Sequence, residues 1–188
     1  LGEDLPRAEL LIIDGRQVAA LAWLPPGDWE PLEKAREDDN GAPTRLLEPY
    51  RVSGRLHQWA ILDMVLGNVD RHFGNLMTNP DAGRVKLIDH GSAFAGADFD
   101  PAHDRATFVP CYLRLAVPTS VNFNTLPLED KLRGMAQTTE AGRRALRAWL
   151  EAIDAENLRQ TLAAYGIDPQ RSLDRLARVR ALRGDLDG

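Results

Sequence analysis

Three oxygen-bearing side chains stand at short, fixed spacings in the middle of the chain: Asp70, Asn75 five residues on, and Asp89 at the end of an apolar run. They belong to two stretches, Asp70-Arg71-His72-Phe73-Gly74-Asn75 and Ile88-Asp89-His90-Gly91. The chemistry such a set serves is transfer of a phosphoryl group. That reaction asks a protein for little covalent work and much positioning: a carboxylate near the attacking hydroxyl, and oxygen ligands that hold a divalent metal against the phosphates. Taken singly, an Asp, an Asn or an Asp-x-Gly is ordinary turn chemistry. Their joint spacing, with apolar segments before and between them, sets the group apart.

Those apolar segments are the elements that must position the three. From Ser53, read as an N-cap, Leu56, Trp59, Ala60, Met64 and Val65 recur at helical spacing up to Gly67, a helix stop. A polar loop follows at 68–72, then a short apolar piece at Leu76-Met77, a turn at 79–83 and a strand at 85–88. Upstream, strands at 9–13 and 18–24 join through Asp14-Gly15, a hairpin signal, and Pro25-Pro26-Gly27 ends the second. A short helix is predicted over 29–36 and a polar loop over 37–44. Residues 97–125 read as an ordered irregular region, and helices are predicted over about 128–136, 139–153, 155–165 with Gly166 as a stop, and 172–182.

Composition bounds the rest. The 188 residues suffice for one substantial core, so one compact unit is expected. Hydrophobic residues at 44% and charged ones at 27% describe a folded, soluble chain. A net charge of -5 gives no basic field for nucleic acid or anionic lipid, so no nucleic-acid partner is expected. The arginines of the C-terminal third, among them Arg143, Arg147, Arg175 and Arg180, read as solvated faces of amphipathic helices. With Cys111 as the one cysteine, an internal disulfide and a cysteine-rich zinc site are both excluded, and a cytoplasmic location fits. No apolar run reaches the ~18 residues of a transmembrane segment, and the stretch Leu1-Gly2-Glu3-Asp4 lacks the basic start and apolar run of a signal peptide.

The stretch Leu66-Gly67-Asn68-Val69-Asp70-Arg71-His72-Phe73-Gly74-Asn75-Leu76-Met77, followed by Val85-Lys86-Leu87-Ile88-Asp89-His90-Gly91, resembles the signature of phosphatidylinositol 3- and 4-kinase-like proteins. The shared pattern is D-R-H-x-x-N, a strand, then I-D-x-G, and the Asp70-to-Asn75 spacing is that of a kinase catalytic loop. The stretch is similar, more loosely, to HipA-like protein kinases, to the secretory-pathway casein kinases of the Golgi and to bacterial lipid-kinase-like proteins. The close likeness spans roughly residues 61–94. It implies an α+β, protein-kinase-like fold with a mainly helical C-lobe and a short β-hairpin from the end of an N-lobe. Residues 1–30 would then be the remnant of N-lobe strands and hinge, and 31–188 the C-lobe, with catalytic loop 68–76, metal-binding segment 88–91 and helical base 128–182.

The resemblance also implies roles. Asp70 becomes the general base or hydroxyl-orienting group, Asn75 and Asp89 the ligands of Mg2+ or Mn2+ bound with ATP, and His72 a second phosphate- or base-like group. Arg71 would either stabilise charge on the transferred group or brace the loop through a salt bridge. Trp23 would lie near the adenine. His90 reads as a loop-packing residue rather than a ligand, and Gly91 as the residue that permits the turn aiming Asp89.

The chain departs from the pattern in its clamp. Its three lysines, Lys34, Lys86 and Lys131, are not placed like the strand lysine that pairs with nucleotide phosphates, and no G-x-G-x-x-G precedes residue 60. The expectation is that a segment before Leu1 completes the N-lobe; the alternatives are a second chain that supplies it, or a reduced fold that clamps nucleotide differently. The leading function is an ATP-dependent phosphotransferase acting on a hydroxyl, with protein or small-molecule acceptors preferred to inositol lipids because a polybasic or amphipathic membrane surface is lacking. The alternative is an inactive pseudokinase or partner-binding module. An aminoglycoside- or choline-kinase-like enzyme ranks lower, because such proteins carry His two residues before the Asp, where this chain has Asn68.

Overall fold

The computed structural model describes residues 5, 8–14, 16–21, 24–25, 27–68, 70–90, 93 and 140–181. Its first element is the hairpin that Asp14-Gly15 encodes: β1 (Ala8–Ile13) pairs antiparallel with β2 (Arg16–Leu21), Ile13 opposite Arg16. Asp14 takes a φ of 53°, the left-handed region such a turn requires and Asp tolerates. The second strand starts two residues before the predicted 18, and Trp23, the residue assigned to the adenine edge, lies outside the described residues.

Two elements that follow correct the sequence reading. The helix predicted over 29–36 begins later, as α1 (Leu32–Asp38), because Glu30 and Pro31 form a short strand, β3, instead. Pro31 has no N–H and a fixed φ of -59°, which suits the residue ahead of a first turn and not a helix interior. The polar loop predicted over 37–44 shrinks to 39–41, since a second helix, α2 (Ala42–Val52), starts at Ala42. Pro43 falls in its first turn, where the missing N–H has no intrahelical partner to lose, while Pro49 is carried inside.

Described residues divide into two compact units rather than the single one expected: 1–46 with 72–89, and 47–71 with those from 90 on. In the first, β4 (Leu76–Asn79) sits between β3 and β5 (Arg84–Leu87) in an antiparallel sheet, with Leu76 opposite Leu87 and Thr78 opposite Val85. These four point to one buried face, where α1 adds Leu32 and Ala35.

The second unit is helical and centres on α3 (Arg55–Leu66), whose Leu56, Trp59, Ala60, Ile61 and Val65 are buried. A helix apolar on most sides belongs in a core, and α3 packs against α4 (Glu140–Ala152) and α6 (Gln170–Ala181), with α5 (Ala155–Ala164) against α6. The inward stripes are Gly142, Leu146 and Leu150 on α4 and Ser172, Leu176 and Val179 on α6, as the amphipathic reading of these segments anticipates. The helix predicted over 128–136 lies outside the described residues. Together the helices and the small antiparallel sheet make the chain α+β, and no helix among the described residues is long and apolar enough to cross a membrane.

Ser53 is not the N-cap of α3. Its hydroxyl donates to the Tyr50 carbonyl at 3.2 Å and closes α2, while the Gly54 carbonyl accepts from His57 and Gln58 N–H, both at 3.1 Å, to open α3. Gly54 holds a φ of 79° and lies so near α4 that a Cβ on it would stand 2.6 Å from the Gly142 carbonyl oxygen. Gly166 shares a positive φ of 70° but faces open space. Gly166→Ala is therefore expected to cost only the left-handed penalty of roughly 1–2 kcal/mol, and Gly54→Ala clearly more because backbone must also move. Equal melting temperatures for the two variants would contradict this close approach of α3 and α4.

His57 is the one histidine in the α3 core, 1% exposed, and neither ring nitrogen meets a hydrogen-bond partner among the described residues. Burial, helped by the charge of Arg51, pushes its pKa from 6.5 down to about 4, and the Gly54 backbone opposes this without forming a well-aligned hydrogen bond. A base whose folded pKa lies below its unfolded one stabilises the fold fully above pH 6.5, and that stability is lost as pH falls through about 4. The loss is on the order of 3 kcal/mol. Urea melts between pH 4 and 8 should show a smaller fall in stability for His57→Phe than for wild type; parallel curves would contradict the buried neutral ring.

Candidate functional site

The sheet-bearing unit holds two of the three oxygen-bearing side chains, Asn75 and Asp89. A single 3-10 turn, Phe73–Asn75, precedes β4 and is capped by His72, whose Nδ1 accepts from the Gly74 N–H at 3.1 Å. With Nδ1 accepting, a neutral His72 ring carries its proton on Nε2. The guanidinium of Arg36 on α1 lies 5.6 Å from the Phe73 ring centroid, a cation–π contact that holds the turn against α1.

Asn75 is 6% exposed, and its carbonyl accepts from the Ile88 N–H at 3.1 Å. That bond adds one rung beyond the Leu76–Leu87 pair, so Asn75 and Asp89 flank the same end of the β4–β5 ladder. Asp89 is exposed and takes a φ of 51°, a left-handed conformation that turns the chain sharply out of the strand direction. An amide oxygen and a carboxylate are hard ligands that suit Mg2+ or Mn2+, ions that keep water and phosphate oxygens in the remainder of their shell. The two residues therefore fit a nucleotide-bound metal. Among the described residues no group of three or more His, Cys, Asp or Glu could hold a metal by protein ligands alone.

Asp70 belongs to the helical unit. It is exposed, and its N–H donates to Asn68 Oδ1 at 3.3 Å. Beneath it lies a buried polar cluster. Asp63 of α3 accepts from Asn68 Nδ2 at 2.9 Å and from Arg71 at 3.0 Å (Nε) and 3.1 Å (Nη2), and its side chain and that of Arg71 are both fully buried. Arg71 Nη2 also donates to His90 Nε2 at 2.9 Å. The Asp63 pair is a salt bridge of the kind the bracing reading of Arg71 describes, and His90 packs on the same guanidinium.

Asp63 is the residue sequence reasoning missed. Its signal was present: an acid in the last turns of Arg55–Leu66, among the apolar residues Trp59 to Leu66, has to be paired if that face of the helix is buried. Of the lysines, Lys34 pairs with Glu30 at 3.2 Å, and Lys86 lies 5.7 Å from the Trp29 ring centroid and donates to the Leu5 carbonyl at 3.3 Å. Lys131, Gly91 and Trp23 lie outside the described residues.

Searches of curated proteins and of solved structures found no match. The family model for phosphatidylinositol 3- and 4-kinase matches residues 36–148, more than half of the chain and far beyond the 61–94 stretch that carries the motif. The matched span contains Asp63, Asp70, Arg71, His72, Asn75, Asp89 and His90. The chain therefore belongs to the phosphatidylinositol 3- and 4-kinase family, which points to phosphotransfer of the kinase type.

Proposed function

We propose that the chain is an ATP-dependent phosphotransferase that moves the γ-phosphoryl group to a hydroxyl of a protein, a small molecule or an inositol lipid. Asn75 and Asp89 hold the divalent metal, and Asp70 orients or deprotonates the acceptor hydroxyl. The observation that carries this reading is the shared end of the β4–β5 ladder, where the Ile88 N–H donates to the Asn75 carbonyl at 3.1 Å and Asp89 follows in a left-handed backbone conformation. When bound, the metal neutralises charge on the phosphates. The acceptor oxygen bonds to the γ-phosphorus, the bond to the β-bridging oxygen breaks, ADP leaves with that electron pair, and the acceptor proton passes to Asp70.

His72 ranks behind Asp70 as the base, because its Nδ1 lone pair is engaged by Gly74. Protein and small-molecule acceptors rank ahead of lipid, given the net charge of -5, and a cytoplasmic setting fits the single cysteine. One observation favours a second reading, a module that binds metal-nucleotide without turnover: Lys34 and Lys86, the described lysines, are engaged with Glu30 and with Trp29 and Leu5.

Calorimetry on the full-length protein should find ATP binding dependent on Mg2+ and weakened by Asp89→Asn, which removes a charged ligand. Equal affinity with and without metal, or in wild type and Asp89→Asn, removes the metal role. Asp70→Ala should leave metal-ATP affinity nearly intact and lower turnover roughly 10²- to 10⁴-fold. The acceptors to compare are the protein itself, a protein mixture, small hydroxyl compounds and inositol-lipid vesicles. Metal-ATP binding by wild type with transfer no faster than in Asp70→Ala would favour the binding module.

A further inference from the structure

The buried cluster under Asp70 has a feature that the metal-and-base reading leaves unused. Arg71 donates from Nε and Nη2 to the Asp63 carboxylate and from Nη2 to His90. Arg71 follows Asp70 in the chain, and His90 follows Asp89. One carboxylate on α3 thus anchors the backbone directly after each of the two acids, the first through the Arg71 fork and the second through Arg71 Nη2 and the His90 ring. On its other side Asp70 is held by Asn68, which is bonded to the same carboxylate.

Asp89 needs such an anchor. Its φ of 51° is a conformation a non-glycine residue keeps only where the surroundings fix it. The bond from Ile88 to Asn75 fixes the chain before it, and the bond from Arg71 to His90, with the Ala93 N–H on the His90 carbonyl at 2.9 Å, fixes the chain after it. A fork of this shape is specific to arginine, since lysine offers a point charge without the paired N–H groups.

We infer that Asp63 is a positioning residue for phosphoryl transfer, acting on Asp70 and Asp89 through Arg71 and His90. The inference rests on the phosphotransfer reading and deepens it: a fully buried carboxylate fixes the residue that follows each acid in the chain. Small displacements of such groups reduce rate much more than affinity.

The test uses full-length wild type, His90→Ala, His90→Gln and Asp63→Asn. His90→Ala leaves the Asp63–Arg71 pair in place, so the expected melting temperature is near wild type while kcat falls roughly 10- to 100-fold with KM for ATP little changed. His90→Gln, whose amide oxygen can accept the Arg71 N–H, should recover most of that rate. Asp63→Asn should lower kcat further, and the Arg71 Nε–H resonance should lose its protection from solvent exchange. If Asp63→Asn does not fold, the two His90 variants decide the matter. Wild-type kcat per folded molecule in His90→Ala, or equal loss in His90→Ala and His90→Gln, overturns the inference and leaves the phosphotransfer reading standing. A wild type that transfers phosphate to no acceptor overturns both.

Discussion

A carboxylate withdrawn from water must be neutralised where it stands, and in this chain Asp63 is neutralised by Arg71. Desolvating two charges costs several kcal/mol each, repaid only by good geometry and by partners for the remaining lone pairs. The fork on Asp63 and the Asn68 amide meet both conditions. Having met them, the pair leaves little choice to the loop from Asn68 to Arg71, because moving it strands a buried charge, a loss of about 3–5 kcal/mol. The placement of Asp70 at the surface follows from that burial underneath it.

A different constraint governs the other two acceptor-type side chains. The β4–β5 hairpin is pinned by Leu76, Thr78, Val85 and Leu87 on one buried face, and a one-residue slip would turn all four outward. Register in turn decides that Asn75 faces Ile88, so that the ladder ends at the residue before Asp89. Apolar packing that has no chemistry of its own thereby sets the backbone register of Asn75 and Ile88. Both constraints are tied to neighbouring residues in sequence, which is how a contiguous motif comes to encode a three-dimensional arrangement.

That contiguity explains what the sequence disclosed. Asp70, Asn75 and Asp89 stood out because their spacing is local, and β4, β5 and α3 because each carries a clean period. Where proline dominated the reading, it misled: Pro31 delays the helix to Leu32, three residues after the predicted start at 29, and Pro43 stands in the first turn of α2 instead of breaking it. Ser53 looked like a cap for the helix after it and closes the helix before it. The choice between two roles for Arg71 was not legible, since it depends on an acid eight residues earlier facing it across a helix end. Asp63 itself was hidden by the habit of reading a periodic helix for its apolar positions alone.

The central claim is that Asn75 and Asp89 meet a nucleotide-bound divalent ion, and paramagnetic broadening addresses it without relying on turnover. Mn2+ with ATP would be titrated into the 15N-labelled full-length protein while amide signals are followed. Broadening should appear first at the Asn75 side-chain amide and at the backbone amides of residues 88–90, and should require the nucleotide. Signals there that persist while others vanish, or broadening independent of ATP, would contradict the account.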